Sequence, residues 1–441
     1  MLNNKTNNTM QHSISEWYTK ILFNRAHLLI GLCLFVTFAM ESWEMMILIY
    51  NSAEIAKEFN LTTTQIGSLI SALFLGMIPG ALIWGKVMGV IGRKKSLILS
   101  IGLYGIFPLI SAFASSFEML WAARFMCGMI LVGSLVITFP YFEELVPVAS
   151  RGRATVYLSS GWPVGVLIAI GISYSLESMG WRVIIGMGTL TSLWALMIWK
   201  FVPESPYWLV ENNDKEGAES ALKTLCNGQF VEPKVILETA HTSASGTFLD
   251  LFKGVVAKTT FLQLIINFCF SWGYWAMASW MPLLLSKKGL STPEGLGFLA
   301  ISALFMFPGY ISASYLTGKF GRKKIMMTYV FMSAVAGLAL ANAATVNELY
   351  VWNFTLSFFS LGAWGVWNTW VGEIYDTRNR GNGTAVGVVS QRIANSIAPL
   401  VIGSILASSS FTFTVAFISL FFILTLITTL FLEETEGVSL K

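Results

Sequence analysis

The chain has 441 residues, of which 55% are hydrophobic and only 12% charged, too few polar groups to cover a water-facing surface, so it reads as a polytopic membrane protein. Its formal net charge of +4 is small and scattered, with no lysine-rich tail or aromatic-basic stripe, which excludes a nucleic-acid binder. The first twenty-odd residues are polar and the first apolar run is long enough to span, so no cleavable signal peptide is expected. A bilayer core about 30 Å thick takes about 20 apolar residues per helix. Measured so, the sequence offers twelve spans: 27–50, 65–88, 96–114, 119–145, 154–176, 182–202, 259–286, 295–317, 325–343, 349–375, 384–407 and 412–432. The predicted fold is an all-α membrane protein of twelve transmembrane helices in two six-helix pseudo-repeats. Its parts are an N-terminal segment 1–26, a first bundle 27–202, a polar linker 203–258, a second bundle 259–432 and a tail 433–441.

With an even number of spans, both termini and the linker fall on one side. That side also receives Arg93, Lys94, Lys95, Arg151, Arg153, Arg322, Lys323, Lys324, Arg378 and Arg380, against Lys57, Lys287 and Lys288 opposite. The excess of cations makes it cytoplasmic. Short loops fit a bacterial cytoplasmic membrane. Cys33, Cys127, Cys226 and Cys269 show no Cys-x-x-Cys pairing and read as packing residues rather than disulfide or metal ligands.

"GVIGRKK" at 89–95 returns as "GKFGRKK" at 318–324, an offset of 229 residues, and Glu144 with Arg151 returns at the same offset as Glu373 with Arg380. A six-helix unit has been duplicated. Parallel repeats of this kind belong to transporters whose halves rock about a site near the bilayer midplane. Two charge sets, Arg93, Glu144, Arg151 and Arg322, Glu373, Arg380, are expected to fasten the cytoplasmic gate.

At these residues the chain resembles the major facilitator superfamily, over essentially its whole length from 27 to 432. "GKVMGVIGRKK" at 85–95 is similar to the family's loop between helices 2 and 3, and "RFMCG" from Arg124 to its helix 4 motif. "YFEELVPVASRG" at 141–152, "PESPYWL" at 203–209 and "EIYDTRNRGNG" at 373–383 resemble the sugar-porter branch and its organic-anion relatives. Five motifs in order carry the resemblance together. The chain departs from the pattern at Gly89 and Gly318, where the family has an aspartate, and at Asp376, where relatives often have proline.

Ionisable groups inside a bilayer cost at least about 2.5–3.5 kcal/mol at a helix centre, so each is a site hypothesis. Glu41 and Glu44 in "AMESWEMM" lie three apart on one face of helix 1, with Arg124 in helix 4 and Arg392 in helix 11. Two carboxylates so placed favour holding a proton, the chemistry a proton-coupled carrier requires; the alternative is that one of them pairs with Arg124 to join helices 1 and 4. Helix 1 is similar to the acid-x-x-acid pattern of metabolite:proton symporters and nicotinate transporters, with glutamates for their aspartates. Arg392 presents a planar fork suited to a carboxylate, with Gln391 and Asn395 as neighbouring hydrogen-bonders, or else serves as a structural arginine. Aromatic-acid relatives have an arginine in this helix.

Helix 7 reads "FSWGYWAMASW" and helix 10 "GAWGVWNTW". Trp272, Tyr274, Trp275, Trp364, Trp367 and Asn368, together with Trp162 of helix 5, are candidate walls for a planar ring, though tryptophans also serve in packing and at interfaces. Arg182 anchors the outer end of helix 6. His12, His27 and His241 lie outside the spans or at an edge, which leaves no mid-membrane histidine relay. No Walker motif or nucleophile–histidine constellation is present, so neither enzyme chemistry nor a cofactor or metal is expected.

These features point to a proton-coupled importer of a small organic anion, similar to nicotinate- or aromatic-acid transporters, working by alternating access as a monomer. A sugar facilitator or symporter is the first alternative, suggested by "PESPYWL"; Gln263 and Asn267 alone stand for its helix 7 signature. Drug efflux is opposed by Arg392. A non-transporting membrane sensor is suggested by the two missing aspartates.

Overall fold

The computed structural model describes residues 23–147, 150–226, 248–371, 373–375 and 379–435. His12, His241, Asp376 and Arg378, and the side chains of Arg153 and Arg380, lie outside the described residues. Twelve long helical segments follow one another: α1 (Arg25–Tyr50), α2 (Thr63–Ile91), α3 (Arg93–Ala112), α4 (Phe117–Leu145), α5 (Ala154–Ser175), α6 (Trp181–Phe201), α7 (Val256–Lys287), α8 (Thr292–Phe320), α9 (Arg322–Ala341), α10 (Val346–Trp370), α11 (Asn382–Ser408) and α12 (Phe411–Thr429). Eleven of them are long and apolar enough to cross a membrane. The twelfth, α10, has 25 residues but dilutes its apolar side chains with Asn347, Glu348, Asn353 and Asn368, and takes its place by packing along α8 and α9. It ends at Trp370, short of the predicted 375.

Sequence punctuation sets the helix ends. Thr62, Ser116, Thr345 and Ser410 each accept a hydrogen bond from the backbone N–H three residues on, at the starts of α2, α4, α10 and α12. Such N-caps contribute roughly 1 kcal/mol apiece. Between α2 and α3, and again between α8 and α9, the chain turns on Gly92 (φ 95°) and Gly321 (φ 94°), a backbone region that excludes most side chains.

Packing repeats with the sequence. In the first half α2 lies on α4 and α1 on α5; in the second α8 lies on α10 and α7 on α11. The halves meet along α2 with α11 and α5 with α8. At the end opposite the two basic loops, α2 and α11 touch backbone to backbone. A Cβ on Gly67 would fall 2.4 Å from the Pro399 carbonyl oxygen, and one on Gly403 2.5 Å from that of Thr63. The Trp280 indole donates to the same Pro399 carbonyl at 3.0 Å. This end of the inter-half boundary is shut.

Also at this end, a short helix Ser52–Phe59 presents Glu58, which accepts from both the Arg182 guanidinium and Trp181 Nε1. Arg182 donates further to the Ala114 carbonyl at 2.8 Å, so it anchors the start of α6 as expected. The hydrogen bond from Arg182, then that from Trp181, holds the Glu58 carboxyl below the usual carboxylate range. A carboxyl lowered by folding stabilises above its unfolded pKa, about 4.3, and loses that contribution as pH falls through its folded value. Glu58→Gln should therefore melt slightly below the parent at pH 7, with the gap closing as the medium is acidified below the carboxylate range. A gap constant with pH would show that the pair does not hold this corner.

Candidate functional site

Four charges lie within the bundle, and the structure sorts them into two unlike pairs. Glu44 and Arg124 form a closed ion pair inside the first half. Arg124 Nη1 lies 2.6 Å from Glu44 Oε1, both side chains being fully buried, and Nη2 donates to the Glu44 carbonyl at 3.1 Å. Cys127 Sγ approaches the same oxygen at 3.7 Å. From the other side α6 comes so near that a Cβ on Gly188 would sit 2.4 Å from Glu44 Oε2. Here α6 tightens into a 3-10 stretch, Met187–Leu193. The pair ties α1 to α4 by a fixed geometry.

Glu41 is placed differently. It is 1% exposed, and neither carboxylate oxygen has a hydrogen-bond partner. The positive charge bearing on it is Arg392, from α11 of the other half. Arg392 is 7% exposed; its Nη1 has only the Met77 thioether at 3.5 Å, and its Nε has no partner. A cation and an anion thus face each other across the inter-half boundary with hydrogen-bonding capacity unused.

Beside them stand aromatic rings from both halves. Trp162 of α5 donates from Nε1 to the Tyr274 hydroxyl at 3.1 Å and meets Trp275 edge to face, centroids 5.6 Å apart. Phe74 of α2 packs on Trp275 at 4.7 Å, and Tyr274 faces Trp364 at 6.4 Å. Asn395, with its amide oxygen turned to Trp275 Nε1 at 3.1 Å, donates to the Gln391 carbonyl. Gln391 and Trp367 both donate to the Asn267 side-chain oxygen, Trp367 at 2.9 Å. Seven of the candidates, Arg392, Gln391, Asn395, Trp162, Tyr274, Trp275 and Trp367, therefore join one region, with Trp364 at its edge.

Two do not join it. Trp272 stacks on Phe421 of α12 at 4.7 Å with rings only 16° apart, a packing role within the second half. Asn368 is exposed, unlike its neighbour Trp367. Phe74, Met77 and Asn267 enter the region without having been candidates. Nothing local in the sequence marks Phe74 or Met77, because their place depends on how α2 meets the second half.

At the basic end each half carries its own ion pair. Arg93 Nη2 lies 3.0 Å from Glu144, and Arg322 Nη2 2.9 Å from Glu373, in both cases joining helices of the same half. Arg151 donates to the Tyr207 hydroxyl at 3.2 Å. Below each pair sits a carboxylate the sequence reading did not single out. Glu204 accepts from the backbone N–H groups of Arg93 and Lys94 at 2.9 and 3.0 Å, and Glu434 from those of Arg322 and Lys323 at 2.8 and 3.1 Å. Anions at helix N-termini are favoured by the free N–H groups and the dipole. Glu204 and Glu434 lie 230 residues apart, one more than the repeat, and that near-match was the signal.

A two-half bundle with buried charges facing across its boundary is transporter architecture. The sequence profile described as sugar (and other) transporter matches residues 2–441. The chain belongs to that family. It is 30% identical to the "Niacin transporter NiaP" of Acinetobacter baylyi over 351 residues, 79% of this chain and 80% of that one. It is also 30% identical to the "Putative niacin/nicotinamide transporter NiaP" of Bacillus subtilis over 378 residues, 86% and 88% of the two chains. The partially occluded inward-open structure of the xylose transporter XylE from Escherichia coli superposes with a TM-score of 0.74, covering 91% of this chain and 98% of that one at 17% identity, which fixes the fold as that of the major facilitator superfamily. The protein is a multi-pass membrane transporter of a small organic substrate and not an enzyme.

Proposed function

We propose that this transporter imports a small organic anion, of the niacin or aromatic-acid type, by proton symport, with Arg392 receiving the carboxylate and Glu41 carrying the proton. The observation that carries the reading is the open facing of Glu41 and Arg392 across the boundary, against the closed Glu44–Arg124 pair. Without substrate, each charge compensates the other. An arriving carboxylate makes a forked hydrogen-bonded pair with Arg392 and displaces Glu41 as its counter-ion. An uncompensated buried carboxylate is costly, so Glu41 then takes a proton. Binding of one anion thereby draws in one proton, and the pair leaves together when the halves rock. Gln391, Asn395 and the Trp162, Tyr274, Trp275 rings flank the anion, while Glu44 and Arg124 keep α1 in place. The names of the similar niacin transporters support the substrate class.

Under the same reading the end bearing both Gly-Arg-Lys-Lys loops is cytoplasmic, by its excess of cations, as are both termini. A bacterial cytoplasmic membrane and a working monomer complete it. The Arg93–Glu144 and Arg322–Glu373 pairs, seated on Glu204 and Glu434, stiffen the cytoplasmic gate. In proteoliposomes, inward acid gradients should drive niacin accumulation by the parent. Glu41→Gln should lose accumulation yet keep niacin exchange, and Arg392→Gln should lose both. Gradient-driven accumulation by Glu41→Gln would remove that residue from the coupling.

A further inference from the structure

On the far side of Tyr274 from Arg392's helix a second cavity, with about 590 Å³ of space, opens between α1, α7, α8, α10 and α12. No acidic, basic or histidine side chain lines it. Its walls are thioethers and a ring: Met46, Met277, Met281, Met306 and Phe422. Its size falls in the range of small-ligand sites.

The polar groups come from one stripe of α10. Asn353, Ser357 and Ser360 are spaced four and three apart, hence on one helical face, and all three line the cavity. They are only 3%, 9% and 2% exposed. A buried serine in a helix ordinarily bonds back to the carbonyl four residues earlier, as Ser302, Ser333 and Ser396 do here. Ser357 and Ser360 make no such bond and have no other partner among the described residues.

Asn353 is oriented by its neighbour. Ser302 spends its proton on the Phe298 carbonyl, so its oxygen can only accept, and the Asn353 amide must turn its N–H to it. That leaves Asn353 Oδ1 facing the cavity as an acceptor, beside two hydroxyls able to donate. We propose that this cavity is a second, charge-free ligand site, distinct from the Glu41–Arg392 boundary, that takes an uncharged aromatic amide. The amide N–H groups meet Asn353 Oδ1, its carbonyl takes a hydroxyl proton from Ser357 or Ser360, and the ring lies among the thioethers, which accommodate aromatic edges. A carboxylate is disfavoured there, because no cation would balance it.

Isothermal titration of the full chain in lipid nanodiscs, with benzamide and benzoate as probes, tests this. Benzamide is expected to bind the parent and to bind Arg392→Gln equally well, within about twofold. Asn353→Leu, and separately Ser357→Ala with Ser360→Ala, should each weaken it at least about tenfold, the usual consequence of removing a buried polar partner. The serine pair guards against misfolding of the asparagine variant, whose bond to Ser302 is also lost. No benzamide binding to the parent, loss of it in Arg392→Gln, or its survival in both cavity variants would overturn the proposal. Benzoate reports separately: its dependence on Arg392 bears on the anion reading and leaves the amide site unaffected.

Discussion

Arg124→Met alone should cost about 3–5 kcal/mol of folding stability, the penalty for leaving a buried carboxylate without its partner. Glu44 has nowhere to turn. Its Oε1 already takes both Arg124 and Cys127, its Oε2 has no hydrogen bond, and Gly188 and Pro108 close the space beside it. Glu44→Met should cost a similar amount by stranding the guanidinium. The double variant should recover most of the loss, since two apolar side chains of comparable volume carry no charge to desolvate. Denaturant melts of the three variants in one detergent provide the test; a double variant as unstable as the sum of the singles would show that the hydrogen-bond geometry, and not charge compensation, is what matters. Transport by the double variant asks a further question. If Glu41 alone carries the proton, acid-driven uptake persists without Glu44.

How legible all this was varies with the range of the interaction. Helix count and repeat came through because they are local: apolar runs of membrane length, and a glycine-arginine cluster written twice 229 residues apart. The ion pairs at the basic end were legible for the same reason, each being carried by a motif whose partner recurs at one offset. Membership of Arg392, Tyr274 and Trp275 in one region was legible from residue chemistry, since buried charge and polar aromatics are seldom placed without purpose. The division between Glu41 and Glu44 was not. Both sit three apart on α1, and only the third dimension shows that one meets α4 of its own half and the other faces α11 of the opposite half. Trp272 and Asn368 misled because a spacing rule fixes a helix face and not what that face meets. For the same reason the Asn353, Ser357, Ser360 stripe passed unnoticed, since three small polar residues in a helix signify nothing until a cavity is seen in front of them.

Gly67→Ala should unlock the shut end of the boundary. The new Cβ would lie 2.4 Å from the Pro399 carbonyl oxygen and 3.1 Å from the Leu400 Cα, and backbone atoms of two packed helices cannot swing aside as a side chain tip can. Overpacking of this kind costs about 1–3 kcal/mol. The halves have an outlet that a soluble core lacks: by rocking apart at this end they relieve the clash without unfolding. The penalty then falls on one conformation rather than on the fold, and about 2 kcal/mol lowers its population roughly 30-fold against the state open at this end. A cysteine replacing Met281, which is 4% exposed and lines the neighbouring cavity, reports on the change through its reaction with a membrane-impermeant maleimide. Labelling should rise at least about tenfold in Gly67→Ala. Gly102→Ala, where a Cβ would meet nothing within 4 Å, should leave it unchanged. Uptake should fall in Gly67→Ala, because a carrier that seldom closes this end seldom completes its cycle, while its melting temperature stays near the parent's. Equal labelling in the two variants together with a lowered melting temperature would mean that the clash is borne by the fold, and that α2 and α11 do not part here during transport.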